Sequence, residues 1–433
     1  MKRGKVSIIS LGCPKNLVDS ERIAGRLLSY GYDFSFDSDK ADYIVINTCA
    51  FLSSARNEAE EVISEFADKK RQGSVKKIIV AGCYASFNEK VLKKRYSEID
   101  AFISTNNLSD IVPALEKGGS YIKRKPVAEM LPRIEFTLSH YEYLKIADGC
   151  NHKCTFCLIP VIKGRTHSFR KEFLIKEARA LAENGVKELI IIAQDVTQYG
   201  LDLYGKVELI PLLEEISSIS NLQWIRLMYT YPSPFAFELL DYMKSNRKIV
   251  PYIDMPFQHI SDRILKKMKR ASTRSEIEKI VLKIKEMGFA FRTSVIVGFP
   301  YETDEDFEEL NEFILKYEID HLGVFEYSNE ARTESYKFPQ VDEKIKLSRF
   351  NDLLKLKDSL ERKRIKNLKG KTVEAIVDYY DEVKNASIGR TVFDAPEIDD
   401  IVVIDGFIEP SNIYKVKISG GDPYLLKGSI VRE

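Results

Sequence analysis

The feature that most constrains this chain is a run of three cysteines within eight residues, Cys150-Asn-His-Lys-Cys154-Thr-Phe-Cys157. Thiols at this density are typical of a metal site. Three thiolates are one fewer than the four that a structural zinc ion or a fully ligated iron–sulfur cube takes. A four-iron cube held by this run would keep one iron without a protein ligand, open to a small chelating molecule.

Two other interpretations of the run stay open at this point. His152 could act as a fourth ligand and complete a Cys3His zinc site, or the thiols could lie unligated in a core. Zinc ligands commonly come as two C-x2-C pairs. The spacing here is C-x3-C-x2-C with no second pair nearby. The spacing therefore favours an open iron–sulfur cluster over zinc.

The run resembles the C-x3-C-x-aromatic-C signature of the radical S-adenosylmethionine (SAM) enzymes, with Phe156 as the aromatic residue. The resemblance implies that the amino and carboxylate groups of SAM chelate the open iron. It also implies that an electron from the cluster cleaves the sulfonium of SAM, and that the resulting 5′-deoxyadenosyl radical abstracts hydrogen from a substrate.

The other three cysteines, Cys13, Cys49 and Cys83, each come directly after a short apolar run that is predicted as a strand. These runs alternate with helical patterns over residues 1–117, which predicts an open parallel α/β sheet. Because the carboxyl ends of parallel strands share one edge, the three thiols should converge there. We predict a second three-cysteine cluster, with buried structural thiols as the alternative.

A three-cysteine domain placed before a radical SAM domain resembles the methylthiotransferases, and the match covers essentially the whole chain. The resemblance implies that the N-terminal cluster also has an open iron, which carries the sulfur or methylthio group to be donated. Two [4Fe–4S] clusters and SAM are the implied cofactors. A flavodoxin or ferredoxin is the implied electron donor.

The rest of the chain divides by its patterns. Residues 118–137 contain glycine, serine and proline without periodicity and are predicted to be a linker. Residues 138–340 repeat strand and helix six times, which predicts a partial (β/α)6 TIM-like barrel of radical SAM type with its site at the carboxyl ends of the strands. Residues 341–370 are predicted as a charged helical arm. Residues 371–433 are predicted as a small β-barrel, which resembles the TRAM domain.

Residues that follow the predicted barrel strands, and the aromatic residue of the signature, are the candidates for binding SAM. They are Phe156, Gln194, Gln258, His259, Gly298, Phe299 and Pro300. The resemblance places Gly298–Pro300 against the adenosyl group, with an ordinary turn as the alternative. His259 could bind the cofactor or handle protons, although a lone histidine is more often structural. Lys163 and Arg165 could contact a carboxylate or form a solvated turn.

Residues 371–433 carry twelve acidic and seven basic side chains, a net charge of −5, whereas the whole chain carries +1. Such a surface would repel RNA and attract a basic protein; a merely solvated acidic face is the alternative.

The segments 12–20 (GCPKNLVDS) and 389–399 (GRTVFDAPEID) resemble the RimO-type branch of the methylthiotransferases. That branch modifies the β-carbon of an aspartate in a small-subunit ribosomal protein, which implies a basic ribosomal protein as partner and no direct binding of nucleic acid.

The chain contains no uninterrupted apolar run of about 18 residues, and its basic then apolar start is interrupted at Gly12-Cys13-Pro14. We therefore expect a cytoplasmic protein with no membrane contact.

Two alternatives for function stay open. One is a transfer-RNA methylthiotransferase acting on a modified adenosine, and the other is a non-catalytic, zinc-stabilised ribosome-binding protein.

Overall fold

The computed structural model describes residues 3–123 and 131–431. Lys125 and Pro126 of the predicted linker, and Arg432 at the end of the last predicted strand, lie outside the described residues. Within the described ranges the chain forms two large parallel sheets and a closed β-barrel. A long helix joins the second sheet to the barrel.

The N-terminal sheet has six strands, and each neighbouring pair is parallel. The strands are β1 (Lys5–Ser10), β2 (Asp33–Phe34), β3 (Tyr43–Thr48), β4 (Lys77–Gly82), β5 (Ile99–Ile103) and β6 (Gly119–Tyr121). The helices are α1 (Pro14–Ser29), α2 (Ser53–Arg71), α3 (Cys83–Arg95) and α4 (Ile111–Lys117). The order across the sheet is β2-β1-β3-β4-β5-β6, which confirms the predicted open α/β sheet. Strands β3 and β4 are buried over nearly their whole length, as expected where helices cover both faces.

The segment predicted as a linker is partly structured. Strand β6 extends the sheet by pairing with β5, and Leu131 packs into the core beneath α1. The guanidinium of Arg133 is buried and pairs with Glu21, Glu142 and Glu177. Residues 118–123 and 131–137 of the predicted linker therefore belong to packed domains. Burial and ion pairing outweigh the local preference of glycine and proline for irregular structure.

The central domain is an open sheet of six parallel strands covered by helices. Its main strands are β7 (Tyr141–Lys145), β10 (Glu188–Ile192), β11 (Trp224–Leu227), β12 (Ile249–Asp254), β13 (Ala290–Val297) and β14 (His321–Glu326), and two short strands, β8 (Ala147–Asp148) and β9 (His167–Ser168), pair with each other. The helices are α5 (Ile159–Ile162), α6 (Lys171–Glu183), α7 (Leu201–Tyr204), α8 (Leu209–Ser217), α9 (Phe235–Ser245), α10 (Asp262–Lys267), α11 (Arg274–Glu286) and α12 (Asp304–Tyr317). The main strands lie side by side in chain order without closing, which confirms the partial barrel.

The C-terminal part is one helix followed by a closed five-stranded barrel. Helix α13 spans Glu343–Leu368, and the strands are β15 (Thr372–Asp381), β16 (Ala386–Thr391), β17 (Ile401–Asp405), β18 (Ile413–Asp422) and β19 (Leu425–Ile430). The order around the barrel is β15-β16-β17-β19-β18. The sequence predicts only four strands and misses β16, whose polar and glycine residues have low β-propensity. Every residue of β16 is nonetheless buried.

Two other domains, the C-terminal barrel and the N-terminal domain, pack on one face of the central sheet. Tyr143 and Tyr252 of this face share an apolar cluster with Ile376 and Val392 of the C-terminal barrel, and the same cluster includes Val18 of α1. The barrel thus covers the sheet where its strands begin, and the N-terminal domain covers it where they end. Residues 389–399, one of the two segments that resemble the RimO-type branch, lie at the junction between the C-terminal barrel and the starts of the central strands.

Glu188, at the start of β10, joins the central sheet to the C-terminal barrel. Its carboxylate is fully buried and accepts hydrogen bonds from Arg226 Nε and Arg390 Nη1, each at 2.7 Å. Burial by itself would raise the pKa of Glu188, but the two guanidinium groups outweigh burial and hold the pKa below its usual value. The stabilisation is therefore present at neutral pH and is lost as the pH falls through the lowered pKa.

Replacing Glu188 by glutamine is expected to lower the free energy of unfolding by about 3–5 kcal/mol, because the buried guanidinium of Arg226 loses its counterion and that of Arg390 keeps only Asp378. Chemical denaturation of the purified variant measures the loss. Glu278→Gln is the matched control, since Glu278 forms a solvent-exposed pair with Lys316 and should cost less than about 1 kcal/mol. Equal losses in the two variants would contradict the assignment.

The charge of the C-terminal barrel is distributed differently from what the sequence suggests. Four acidic side chains are buried at its junction with the central domain: Asp378, Asp394, Asp399 and Asp400. Among the described residues of the barrel, six acidic and five basic residues are exposed. The expectation of a strongly acidic surface is therefore wrong, because partner-bound carboxylates contribute to net charge but not to the surface.

None of the helices in residues 3–123 and 131–431 combines the length and the apolar character needed to cross a bilayer.

Candidate functional site

The N-terminal cysteines meet at the carboxyl edge of the first sheet. Cys13 is the residue that precedes α1, Cys49 directly follows β3, and Cys83 opens α3 directly after β4. Cys83 is buried, while the other two are half-buried. Burial raises the pKa of the Cys83 thiol, and the nearby thiols of Cys49 and Cys13 raise it further. The three cysteines thus lie at one edge of the first sheet, as their strand-end positions predict, and their role as cluster ligands stays a prediction.

Gly12 allows the close approach of two of these cysteines. It has a φ of +98°, and a Cβ placed on it would lie 2.7 Å from Cys49 Cβ and 3.3 Å from Cys49 Sγ. Asn16 holds the same loops by donating from Nδ2 to the carbonyl oxygens of Leu11 and Thr48, at 3.0 and 3.1 Å. The strand ends are therefore fixed before any metal is bound.

Gly12→Ala is expected to lower the iron content of the reconstituted protein from about eight towards about four per chain, because the new methyl group displaces Cys49. Gly73→Ala is the matched control, since Gly73 has a similar φ of +81° but no neighbour within 4 Å. Both variants carry the backbone strain of about 1–2 kcal/mol. Iron analysis separates them, and equal iron in both would contradict a role for Gly12 in placing Cys49.

The second trio lies on the loop between β8 and α5, at the carboxyl edge of the central sheet. Burial raises the pKa of Cys150 to about 11 and that of Cys157 to about 12. Two N–H donors from other parts of the chain lie near these sulfurs. The backbone N–H of Ile159 lies 3.5 Å from Cys157 Sγ, and Arg270 Nη1 lies 3.9 Å from Cys154 Sγ. Three thiols with N–H donors beside them fit an iron–sulfur cluster.

The Nε2 atom of His152 is already occupied by hydrogen-bond partners, so it is not available as a metal ligand. This atom lies 2.6 Å from Asp195 Oδ2 and 2.7 Å from Gln198 Nε2. The imidazole stacks on Tyr231 with ring centroids 3.9 Å apart. The geometry therefore favours three cysteine ligands over a Cys3His zinc site.

The two trios share one interface. Leu158 and Ile162, just after Cys157, pack in the same apolar cluster as Cys83 and Tyr84. Residues 158–162, which follow the second trio, therefore contribute to the apolar core that surrounds Cys83 of the first trio. The two trios therefore lie at the carboxyl strand edges of two neighbouring domains that are in contact.

A buried charge network crosses this interface. Lys163 Nζ lies 2.7 Å from Asp148 Oδ1 and 3.9 Å from Asp19 Oδ2, and Lys145 pairs with both of these aspartates. Burial alone would lower the pKa of Lys163, but the charges of Asp148 and Cys83 raise it above its ordinary value. Of the two alternatives left open by the sequence, Lys163 contacts carboxylates of the protein, whereas Arg165 is exposed.

Some of the predicted SAM-binding residues gather beside the second trio. Phe156 packs edge-on against Phe299, with ring centroids 6.4 Å apart. Gln194 donates to Asp148 at 3.3 Å, and its Oε1 has no hydrogen-bond partner among the described atoms. Gln258 has a φ of +72° and its backbone pairs with β13. Their roles in binding SAM stay predictions.

Two further candidates are packed against groups of the protein, and their roles in binding SAM also stay predictions. His259 is fully buried; its Nδ1 accepts hydrogen bonds from the backbone N–H groups of Ile260 and Ser261, at 2.9 and 3.1 Å, and its Nε2 has no hydrogen-bond partner among the described atoms. A Cβ on Gly298 would lie 2.2 Å from Cγ of Lys346, so this glycine makes room for α13. Pro300 is likewise buried. Lone histidines and turn glycines are ambiguous in sequence because only packing decides their neighbours.

Sequence reasoning missed several residues of the site. Arg270 lies over the Tyr231 ring at 4.1 Å and donates to the carbonyl of Pro256 at 2.6 Å. Lys15 Nζ lies 3.3 Å from the centroid of the Tyr229 ring, which brings α1 onto the central sheet. Both contacts join residues far apart in the chain, so no local pattern could have indicated them.

Comparison with known families agrees with these three parts. Residues 144–314 match the radical SAM superfamily, residues 5–104 match the uncharacterized protein family UPF0004, and residues 370–431 match the TRAM domain. The radical SAM methyltransferase TsrM from Kitasatospora setae superposes with a TM-score of 0.55 at 15% identity, over 74% of this chain and 72% of that one. The cobalamin-dependent radical SAM enzyme OxsB gives a TM-score of 0.54 at 14% identity, over 83% of this chain and 56% of that one. At such low identity the two structures support the fold alone.

The fold and the three-cysteine loop at the edge of its central sheet define a radical SAM enzyme, whose cofactors are an iron–sulfur cluster and SAM. Proteins named ribosomal protein uS12 methylthiotransferase RimO are 41% identical in Caldanaerobacter subterraneus, 40% in Clostridioides difficile and 38% in Flavobacterium johnsoniae. These matches cover 98–99% of this chain and 98–99% of each relative. The chain belongs to the RimO family of methylthiotransferases.

Proposed function

We propose that this chain inserts a methylthio group at the β-carbon of an aspartate in ribosomal protein uS12. The observation that carries the proposal is the placement of two cysteine trios at the carboxyl strand edges of two domains that share one interface. Full-length similarity to RimO proteins supports the choice of substrate. A separate site for sulfur and a separate site for SAM suit a reaction that both activates a C–H bond and adds sulfur to it.

The second trio, Cys150, Cys154 and Cys157, would hold the [4Fe–4S] cluster that binds SAM. The first trio, Cys13, Cys49 and Cys83, would hold a second [4Fe–4S] cluster with an open iron for the methylthio group. When bound, the cofactors supply radical chemistry for an unactivated C–H bond, which ordinary acid–base groups cannot provide.

The chain's own residues would orient the reactants and exclude water. Gln194, with a free carbonyl oxygen beside Asp148, is placed to accept a hydrogen bond from SAM. Phe156 and Phe299 close the apolar side of this region. Lys163 keeps a positive charge beside Cys83, where it would stabilise thiolate ligands.

The partners in this proposal are a basic ribosomal protein and a reductant such as a flavodoxin or ferredoxin. Because the substrate belongs to the ribosome, we place the reaction in the cytoplasm. The nearly balanced exposed charges of the C-terminal barrel give no electrostatic reason for it to prefer protein over RNA. The predicted lack of direct nucleic-acid binding therefore depends on the test below.

Anaerobic reconstitution with iron and sulfide, followed by parallel assays on uS12 and on transfer RNA, tests the proposal. We expect a uS12 aspartate to gain the mass of a methylthio group in place of hydrogen, and transfer RNA to stay unchanged. Modification of an adenosine in transfer RNA alone would overturn the choice of substrate. Zinc in place of about eight irons per chain would overturn the enzymatic assignment itself.

A further inference from the structure

A second polar site lies at the other end of the central domain. A cavity of about 60 Å³ is enclosed where the start of β14, helix α13 and the segment before β17 meet. His321, Glu361, Asp399 and Asp400 line it. His321 is the first residue of β14, so the cavity lies at the amino end of the sheet, whereas the cysteines lie at its carboxyl end. The proposed methylthiolation does not use this cavity.

Three of the lining residues have the spacing of metal ligands. One ligand atom from each of His321, Glu361 and Asp400 lies within 4.8 Å of the other two, and all three residues are buried. Asp400 is only 1% exposed, yet its Oδ1 has no hydrogen-bond partner among the described atoms. A buried carboxylate oxygen without a partner is costly unless a cation or proton occupies the site.

The position of the proton on His321 supports a ligand role. Its Nε2 lies 2.9 Å from the carbonyl oxygen of Phe393, so Nε2 carries the hydrogen and donates it. The other ring nitrogen, Nδ1, lies 3.5 Å from Asp399 Oδ1. Histidine ligands are commonly oriented by a carbonyl in this way.

The local charge also favours a cation. Four buried carboxylates meet around His321: Glu361, Asp394, Asp399 and Asp400. The cationic side chains that face them are those of Arg364, Arg292 and Lys357, so four carboxylates meet three fixed positive charges. Arg364 contacts Asp400 through Oδ2, and Oδ1 has no hydrogen-bond partner among the described atoms. A carboxylate held on one oxygen by arginine and free on the other is arranged as a ligand.

We propose that His321, Glu361 and Asp400 bind one divalent cation of the class that takes imidazole and carboxylate ligands, Zn²⁺ or Mn²⁺. The ion would join one strand of the central sheet, helix α13 and the C-terminal barrel. It would neutralise the buried carboxylates and hold the barrel against the amino end of the sheet. The site is structural, and its ligands come from three segments distant in the chain.

The probe is Mn²⁺, added to the anaerobically reconstituted holoenzyme, whose thiols are already occupied by iron. The loss of the free Mn²⁺ signal in electron paramagnetic resonance counts bound ions. We expect one Mn²⁺ per chain, displaced by an equivalent of Zn²⁺. Asp400→Asn keeps the shape of the side chain and is expected to weaken binding at least about tenfold.

Asp320→Asn is the matched control, because Asp320 lines the same cavity but its Oδ2 is used by Lys285 and by the backbone N–H of Phe291, at 2.7 and 2.9 Å. Its affinity for Mn²⁺ should equal that of the unaltered protein. No binding by the unaltered holoenzyme, or equal binding by Asp400→Asn, would overturn the proposal. A proton shared by Glu361 and Asp400 would then occupy the site, since burial raises the pKa of Asp400 to about 9. Methylthiolation is measured separately and does not depend on this outcome.

Discussion

Replacing Cys154 by alanine is expected to abolish the formation of 5′-deoxyadenosine from SAM. Only two thiols would remain on the loop between β8 and α5, and two ligands do not hold an open four-iron cube. The iron content should fall from about eight to about four per chain. Methylthiolation of uS12 should be lost with it, by at least about a thousandfold, because no radical is produced. Anaerobic single-turnover assays with chromatographic detection of 5′-deoxyadenosine measure this result.

Lys153→Ala is the control for this variant, since Lys153 lies next to Cys154 on the same loop but is exposed. It should keep both the iron and the cleavage activity. Undiminished 5′-deoxyadenosine from Cys154→Ala would contradict the assignment of this trio to SAM. Full cleavage by a protein that contains only zinc would contradict the cluster itself.

Replacing Cys49 by alanine is expected to spare SAM cleavage and to block insertion of sulfur. The first trio lies on a different domain from the SAM-binding loop, so the second cluster should assemble normally. Iron should again fall to about four per chain, while 5′-deoxyadenosine still forms. The methylthiolated product should drop below about one hundredth of its normal yield. Mass spectrometry of uS12, with cleavage assayed in the same reaction, measures both effects.

Ser54→Ala is a suitable control for Cys49→Ala, because Ser54 is exposed on the first turn of α2. Separate roles for the two trios require that only one of the two cysteine variants loses cleavage. If Cys49→Ala also lost cleavage while its second cluster remained intact, the trios would not act separately. The shared interface through Leu158 and Lys163 makes this the sharpest test of how independent the two sites are.

Much of the fold is predictable because its signals are local. Strands such as β3 and β4 are continuous apolar runs, and α1, α2 and α6 show helical periodicity within single stretches of sequence. Parallel topology then brings the strand ends together, which is why the strand-end positions of Cys13, Cys49 and Cys83 are enough to predict that these thiols share one edge.

The features that the sequence does not predict share one cause. The prediction for the segment around β16 depends on its immediate neighbours in the chain, whereas the burial of this strand comes from remote segments. The same is true of the barrel's charge. Asp400 contributes to the net charge of the sequence, but Arg364 and the walls of a cavity remove it from the surface.

The sequence by itself determined the chemistry available to this protein: six cysteines in two trios, on strands whose pattern sets a parallel topology. Only the tertiary structure decided which charges are exposed, which glycines make room for neighbours, and how Lys163, Asp148 and Asp19 connect the two sites. The reason is physical. Backbone pattern and ligand type depend on residues close in the chain, whereas burial and electrostatics depend on which distant groups share the same space.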